Sequence, residues 1–245
     1  MEVARKADRV ARDLLGQVVS GTLAVGDILP READLAERYG VNRSVVREAI
    51  KLLEVHRLVR PVRRRGTEVL DPLQSLSPEV LSAMLRPTDG AIDTAVLGDL
   101  LEVRAELDVL MAGLAAERRT DEDLAAMRAM LGRIEDALDA PEHYARLLSE
   151  MALLIARASK NRLLEALVHW NAAIYDEHET LFSNVRLATP PHLQGLIAVV
   201  DFIESRDADT VRRLVAAFHE WATPRLLAAA LLESGELPER SEESK

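Results

Sequence analysis

Apolar side chains recur every three or four positions along most of this chain. Val3, Ala7, Val10, Ala11, Leu14, Leu15 and Val18 share one face of a first predicted helix. That run stops at "SGTLAVGD", where Gly21 and Gly26 supply turns. A second, short helix is predicted from about Arg31 to Tyr39, with Leu35 and Ala36 inward and Gly40 ending it. A third starts at Asn42, a good N-cap residue, and buries Val46, Ala49, Ile50 and Leu53. "LVRPV" and "GTEVL" then read as two short strands around an arginine-rich turn. Pro61 has no N–H to give, which limits the first strand to a sheet edge.

"DPLQSLSPEVLSAMLRPTDG" contains three prolines and reads as a connector with one short helix around Glu79–Leu85. Beyond it the helical period returns. Leu100, Val103, Leu107, Leu110, Met111 and Leu114 form a long stripe, and further helices are predicted at 121–138, 142–158, 162–181, 191–205 and 208–232. The fold class is therefore mainly α. Residues 1–71 are expected to form one domain, 72–90 a linker, 91–233 an all-helical domain and 234–245 a polar, disordered tail.

Charge separates the two domains. The chain has a formal net charge of −10, yet Arg43 to Gly66 carries 8 Lys/Arg against 2 acids. Residues 1–72 hold 14 Lys/Arg and 11 Asp/Glu, the remainder 17 and 30. There is no cysteine, hence no disulfide, thiolate zinc site or thiol nucleophile. The charged N-terminus lacks the apolar core of a signal peptide, and no apolar run reaches membrane-spanning length. These features predict a cytoplasmic protein without a membrane partner.

The Gly40 turn between the second and third helices makes a helix-turn-helix, and the following hairpin makes it winged. Arg43, Arg47 and Lys51 sit at i, i+4 and i+8, opposite the buried face. A helix packed on one side and basic on the other fits a major groove, where arginine donates twice to guanine O6 and N7. Ser44 and the helix N-terminus suit a phosphate. Arg63, Arg64 and Arg65 lie at the hairpin tip, and Gly66 lets the backbone turn closely. Double-stranded DNA is the expected partner. A solvated basic helix with pairs such as Glu48–Lys51 is the plainer alternative.

"GDILPREADLAERYGVNRSVVREAIKLLEVHRLVRPVRRRGTEV", Gly26 to Val69, resembles the GntR family of bacterial transcription regulators. The resemblance assigns DNA contacts to Arg43, Ser44, Arg47, Arg65 and Gly66; Asn42, Lys51 and Arg64 complete the candidate surface. Where the family usually has arginine this chain has Ala33, and Arg31 two positions earlier is the candidate substitute. Arg57 replaces the glycine usual before the Leu-Val pair. The C-terminal half resembles the all-helical effector domain of the FadR subfamily, through "LLEVRAELDVLMAGLAAERRTDEDLAAM", "ARASKNRLLEAL" and "DADTVRRLVAAFHEW".

Many members of that subfamily bind a divalent metal through one Asp and three His. The spacing from Asn161 puts Leu148 and Ala152 at two of those positions, and a third falls in the apolar "LIAV"; only His219 remains. No metal and no other cofactor is therefore expected, with His143, His169, His178 and His192 as ligands only if the helices pack unlike the family. The loss resembles the fatty-acyl-CoA-responsive members and implies an acyl or other carboxylate effector. Candidate effector residues are Arg104, Asn161, Trp170, Tyr175 and His219, with Trp221 beside them. For Arg104 a structural ion pair with Glu102 or Glu150 stands as an equal reading, and for Asn161 a helix cap.

The expected activity is that of a homodimeric repressor whose affinity for a pseudo-palindromic operator responds to a small molecule. An enzyme is not expected, since no nucleophile–base pair or phosphate loop appears and "DEHE" reads as solvated helix. An effector-free DNA- or partner-binding regulator, or a carboxylate sensor with an atypical metal site, remains an alternative.

Overall fold

A computed structural model describes residues 2–87, 90–183 and 185–234. The chain divides into two compact units that part between Asp93 and Thr94.

The first unit comprises α1 (Glu2–Val19), α2 (Glu32–Tyr39), α3 (Arg43–Val55), β1 (Val59–Val62), β2 (Gly66–Val69), a 3-10 turn at Pro72–Ser75 and α4 (Pro78–Leu85). α1 and α2 both pack on α3. Their predicted apolar faces meet in a core around Leu14, Leu35, Val46, Leu53 and Leu58. A polar tie adds specificity, for Tyr39 and Gln17 both donate to the Asp13 carboxylate from their own elements. Burial and the Asp13 hydrogen bond push the Tyr39 hydroxyl up to about 12, so it stays a donor.

The turns follow backbone chemistry. Gly40 takes φ +61° at the end of α2, and the Asn42 side chain accepts from Val45 N at 3.0 Å to start α3. α3 ends where the family glycine is missing, and it ends in the same way a glycine would allow. Arg57 adopts φ +53°, with Leu58 N bonded to Leu53 O and Arg57 N to Glu54 O, both at 2.9 Å. That is the Schellman pattern, held here by a residue with a Cβ. Arg57→Gly is therefore expected to raise the stability of the first unit by about 1 kcal/mol, measured by urea denaturation.

β1 and β2 pair antiparallel, Val59 opposite Val69 and Val62 opposite Gly66, with Pro61 on the outer edge as its chemistry requires. The other edge of β2 is occupied by a segment the pattern did not reveal. Leu29 N bonds Thr67 O and Val69 N bonds Asp27 O, each at 2.8 Å. This is too short a ladder to leave an alternation in the sequence. It also explains Gly66, whose φ is +122° and whose absent Cβ would lie 2.8 Å from Ile28 Cγ2. The stretch read as a linker carries α4, which packs on α1 and adds Val80 to this core.

The second unit comprises α5 (Thr94–Arg118), α6 (Asp121–Asp136), α7 (Pro141–Ala158), α8 (Arg162–Glu177), α9 (Glu179–Ser183), α10 (Pro190–Glu204) and α11 (Ala208–Ser234). α11 runs along α5, α7 packs on α5, α6 and α8, and α10 on α5, α6 and α11. Boundaries obey local rules: a Thr120–Asp123 capping box starts α6, prolines start α7 and α10, and Arg206 at φ +60° closes α10. The helix predicted over 162–181 is broken in two. His178, buried, leaves helical geometry (φ −115°, ψ 34°) and separates α8 from α9. Histidine is no helix breaker, so only packing decides this bend. Of the predicted tail, residues 235–245 lie outside the described residues.

Candidate nucleic-acid interface and effector cavity

α3 turns Arg43, Arg47 and Lys51 to its exposed side, opposite the buried Val46, Ala49, Ile50 and Leu53. Ser44 donates to Asn42 Oδ1 at 2.7 Å, so both polar groups at the helix start serve the cap. Arg47 is engaged by Glu32, the first residue of α2, through Nε–Oε1 at 3.2 Å and Nη2–Oε2 at 2.8 Å. That hydrogen bond holds the Glu32 carboxyl below its usual range. Lys51 meets Glu48 at 2.9 Å, the pair the plainer reading anticipated. Among the described residues the side chains of Arg31, Arg43, Arg64 and Arg65 have no hydrogen-bond or ion-pair partner. Exposed ion pairs are weak, so a nucleic acid displaces them at little cost. At the wing tip Arg65 N closes a turn on Val62 O at 3.0 Å, and Arg64 sits at φ +65° inside it. Arg60 is tied across the hairpin to Glu68 at 2.7 Å.

The second unit surrounds a cavity of about 980 Å³, at the upper end of the range for small-molecule sites. Its wall is mostly apolar, with Met111, Met151, Ile155, Leu196 and Leu214 among the lining residues. Polar groups come from four helices and a loop. Asp108 of α5 accepts from Arg104 Nε at 3.2 Å and pairs with His219 Nε2 of α11 at 3.1 Å. A carboxylate only accepts, so Nε2 carries the hydrogen. Burial raises the Asp108 carboxyl, but the Arg104 charge and the His219 hydrogen bond outweigh it, and the net shift is downward. The Arg104 partner is thus Asp108, not Glu102 or Glu150; Glu150 pairs with Arg133 at 2.9 Å.

Tyr175 of α8 sits beside both cavity arginines. The guanidinium carbons of Arg104 and Arg186 lie 4.3 and 4.0 Å from its ring centre. Its hydroxyl is buried and has no hydrogen-bond partner among the described residues. His192 Nδ1 lies 2.8 Å from Tyr144 Oη. Burial, then the Arg186 charge, lowers the His192 pKa, and burial pushes the Tyr144 hydroxyl up to about 12.

Of the predicted effector residues, Arg104, Tyr175 and His219 meet at this cavity, and Trp221 lines it too. Asn161 does not: it caps α8, accepting from Leu163 N at 3.0 Å, the alternative reading of that residue. Trp170 does not line it either. Asp108 and Arg186 escaped notice and His192 was considered only as a conditional metal ligand; the i, i+4 spacing from Arg104 was the signal that could have found Asp108, and Arg186 has none that sets it apart from a surface charge. Leu148 and Ala152 do line the cavity, and they present carbon where the resemblance places an Asp and a His. Among the described residues no three of His, Asp and Glu converge, so the donor set does not fit a divalent metal.

A winged helix with arginines on its outer face, joined to a helical bundle around a cavity, defines the class of DNA-binding regulators that answer to a small molecule. Residues 6–69 match the family described as "Bacterial regulatory proteins, gntR family", and residues 99–220 match the FCD domain. The HTH-type transcriptional regulator Rv0494 of Mycobacterium tuberculosis is 30% identical over 214 residues, covering 87% of this chain and 86% of its own. The galactonate operon transcriptional repressor of Escherichia coli is 33% identical over 131 residues, 53% of this chain and 56% of its own. The Listeria monocytogenes protein Lar shares the fold at a TM-score of 0.56 and 17% identity, covering 92% and 96% of the two chains. This chain belongs to the GntR family and is a transcription regulator with an FCD effector domain.

Proposed function

We propose that the protein is a cytoplasmic, homodimeric repressor of the FadR subfamily. Two winged helices grip a pseudo-palindromic operator through Arg31, Asn42, Arg43, Ser44, Arg47, Lys51, Arg64, Arg65 and Gly66. An acyl or other carboxylate metabolite in the FCD cavity alters that grip. The observation that carries this reading is the cavity itself, with Arg104, Asp108, Tyr175 and His219 in its wall. A bundle that served only to join two chains gains by filling such a space, since unfilled volume forfeits packing. A ligand shifts operator affinity only by binding the two states of the protein differently. The E. coli relative is named as a repressor, which supports that sign of regulation. The test is to select duplexes from a randomised pool with the full chain and measure their affinity with and without candidate acids. Selection of no sequence, or an affinity that no acid moves, defeats the proposal.

One winged helix reads too few bases for useful specificity, whereas two half-sites double them. The surface assigned to the second copy is the outer side of α8. Leu163, Ala166 and Leu167 lie there at i, i+3 and i+4, with Trp170 at i+7, and Leu163 is 74% exposed. Leu163→Glu with Leu167→Glu is expected to convert a dimer to a monomer in sedimentation velocity and to weaken operator binding. An unchanged sedimentation coefficient removes α8 from the interface.

A further inference from the structure

The aromatic residues of this chain are few and unevenly placed. It holds 3 Phe, 3 Tyr and 2 Trp. Half of them, Tyr175, Phe182, Phe218 and Trp221, line the cavity of the second unit, where the other apolar residues are aliphatic or methionine. On one side of the wall the rings adjoin. The Phe218 ring centre lies 5.9 Å from His192, 5.6 Å from His219 and 5.7 Å from Trp221. These are spacings at which aromatic rings attract one another. Arg225, which does not line the cavity, covers one face of the Trp221 ring at 4.4 Å and leaves a ligand only the opposite face. Phe218 is 37% exposed, so the protein's own packing does not cover that ring.

An open acceptor lies one imidazole away from these rings. His219 Nε2 donates to Asp108 Oδ2 at 3.1 Å, and Arg104 Nε donates to the same oxygen at 3.2 Å. The other oxygen, Asp108 Oδ1, has no hydrogen-bond partner among the described residues, although Asp108 lines the cavity. An ionised carboxylate only accepts, so Oδ1 calls for a hydrogen from the ligand. A protonated amine there would also meet the Arg104 charge, which leaves a neutral hydroxyl.

We propose that the cavity takes a hydroxylated aromatic compound, its ring against Phe218 and Trp221 and its hydroxyl donating to Asp108 Oδ1. The proposal rests on the reading of this cavity as the effector site; it fixes the end of the ligand beside Asp108 and leaves any acid group to another part of the wall. A phenolic hydroxyl suits this place, because an O–H group shared with an ionised carboxylate makes one of the stronger hydrogen bonds. A carboxylate head is excluded beside Oδ1, where two like charges would meet without a proton between them. One flat ring lying along the His219 imidazole reaches both the ring wall and the acceptor, since that imidazole borders Phe218 on one side and Asp108 on the other.

Calorimetry on the full chain compares 4-propylphenol with 4-propylanisole, which lacks the donor, and with 4-propylcyclohexanol, which lacks the aromatic ring. All three are uncharged, so the cavity arginines do not choose among them by charge. The phenol is expected to bind at least about tenfold more tightly than the ether. It is expected to bind about threefold to tenfold more tightly than the saturated alcohol. Phe218→Leu is expected to weaken the phenol and the ether about twofold to tenfold and to leave the saturated alcohol within about twofold. 4-Nitrophenol gives a readout that needs no variant, since only its ionised form is yellow. Binding is expected to raise its pKa by at least about one unit and fade the colour, because the Asp108 charge opposes a second one. Equal affinity for phenol and ether overturns the proposal, as does an absence of phenol binding up to about 1 mM. So does a colour that deepens on binding, which would put a phenolate beside the arginines. A parallel titration of the protein on its selected duplex separates the two readings. If an acid moves DNA affinity while phenol and ether bind alike, the effector reading holds and the ring-and-hydroxyl assignment falls. If the phenol binds as described while neither phenol nor acid moves DNA affinity, the assignment holds and the effector reading falls.

Discussion

Replacing Arg43 and Arg47 together by alanine is expected to reduce affinity for the selected operator at least about 25-fold, since one bidentate arginine–guanine contact is worth about 5- to 150-fold. The two arginines share the exposed side of α3 but start from different states. The Arg43 side chain has no hydrogen-bond partner among the described residues, whereas Arg47 donates to Glu32 through both Nε and Nη2. On the proposed DNA-binding surface Arg47 then has two roles, as a donor and as the cover of a carboxylate that would otherwise face the phosphates. Arg47→Ala exposes Glu32 and should cost more than Arg43→Ala. Adding Glu32→Gln to Arg47→Ala should then recover part of the loss, whereas added to Arg43→Ala it should recover little. Fluorescence anisotropy on one duplex measures all the variants. Full binding by the double arginine variant, with α3 still folded by circular dichroism, rules out α3 as the reader.

Asp108→Ala is expected to destabilise the second unit by about 2–3 kcal/mol, less than for a wholly buried pair because the carboxylate borders the cavity. The loss corresponds to a fall of about 5–10 °C in the unfolding midpoint. The cause is specific. Arg104 and His219, from α5 and α11, both rely on this one carboxylate, and its removal leaves a guanidinium in the cavity without its counter-charge. The same group confers a pH dependence whose sign is fixed by its lowered pKa. A carboxyl that is more acidic folded than unfolded contributes fully above the ordinary Asp value of about 3.9, and the contribution is lost as pH falls through the lower folded value. Below about pH 4 the native protein should therefore lose stability faster than Asp108→Ala does, so that their midpoints converge. Midpoints that keep a constant gap down to pH 2 would show that Asp108 carries no such charge.

The winged helix was legible because its signals are local. Capping by Asn42, the left-handed glycine at position 40 and the arginine spacing on α3 each depend on a handful of neighbouring residues. The cavity was legible only in part. Arg104 fell beside Leu100, Val103 and Leu107 on one helix stripe, and His219 was what the resemblance left of a metal site. Asn161 and Trp170, candidates beside them, lie elsewhere: Asn161 caps α8 and Trp170 is not among the lining residues.

Periodicity, caps and charge placement by themselves determined a winged helix followed by a helical body, because helix and turn preferences are settled within one or two turns of chain. The tertiary structure alone decided that Glu32 grips Arg47, that Asp27–Leu29 joins the wing, and that His178 breaks a helix. It also decided that Asp108 meets His219 and that Arg104 shares Tyr175 with Arg186. In each case the partners are brought together by packing between elements, or a local preference is overridden by it, and neither leaves a period or spacing in the sequence.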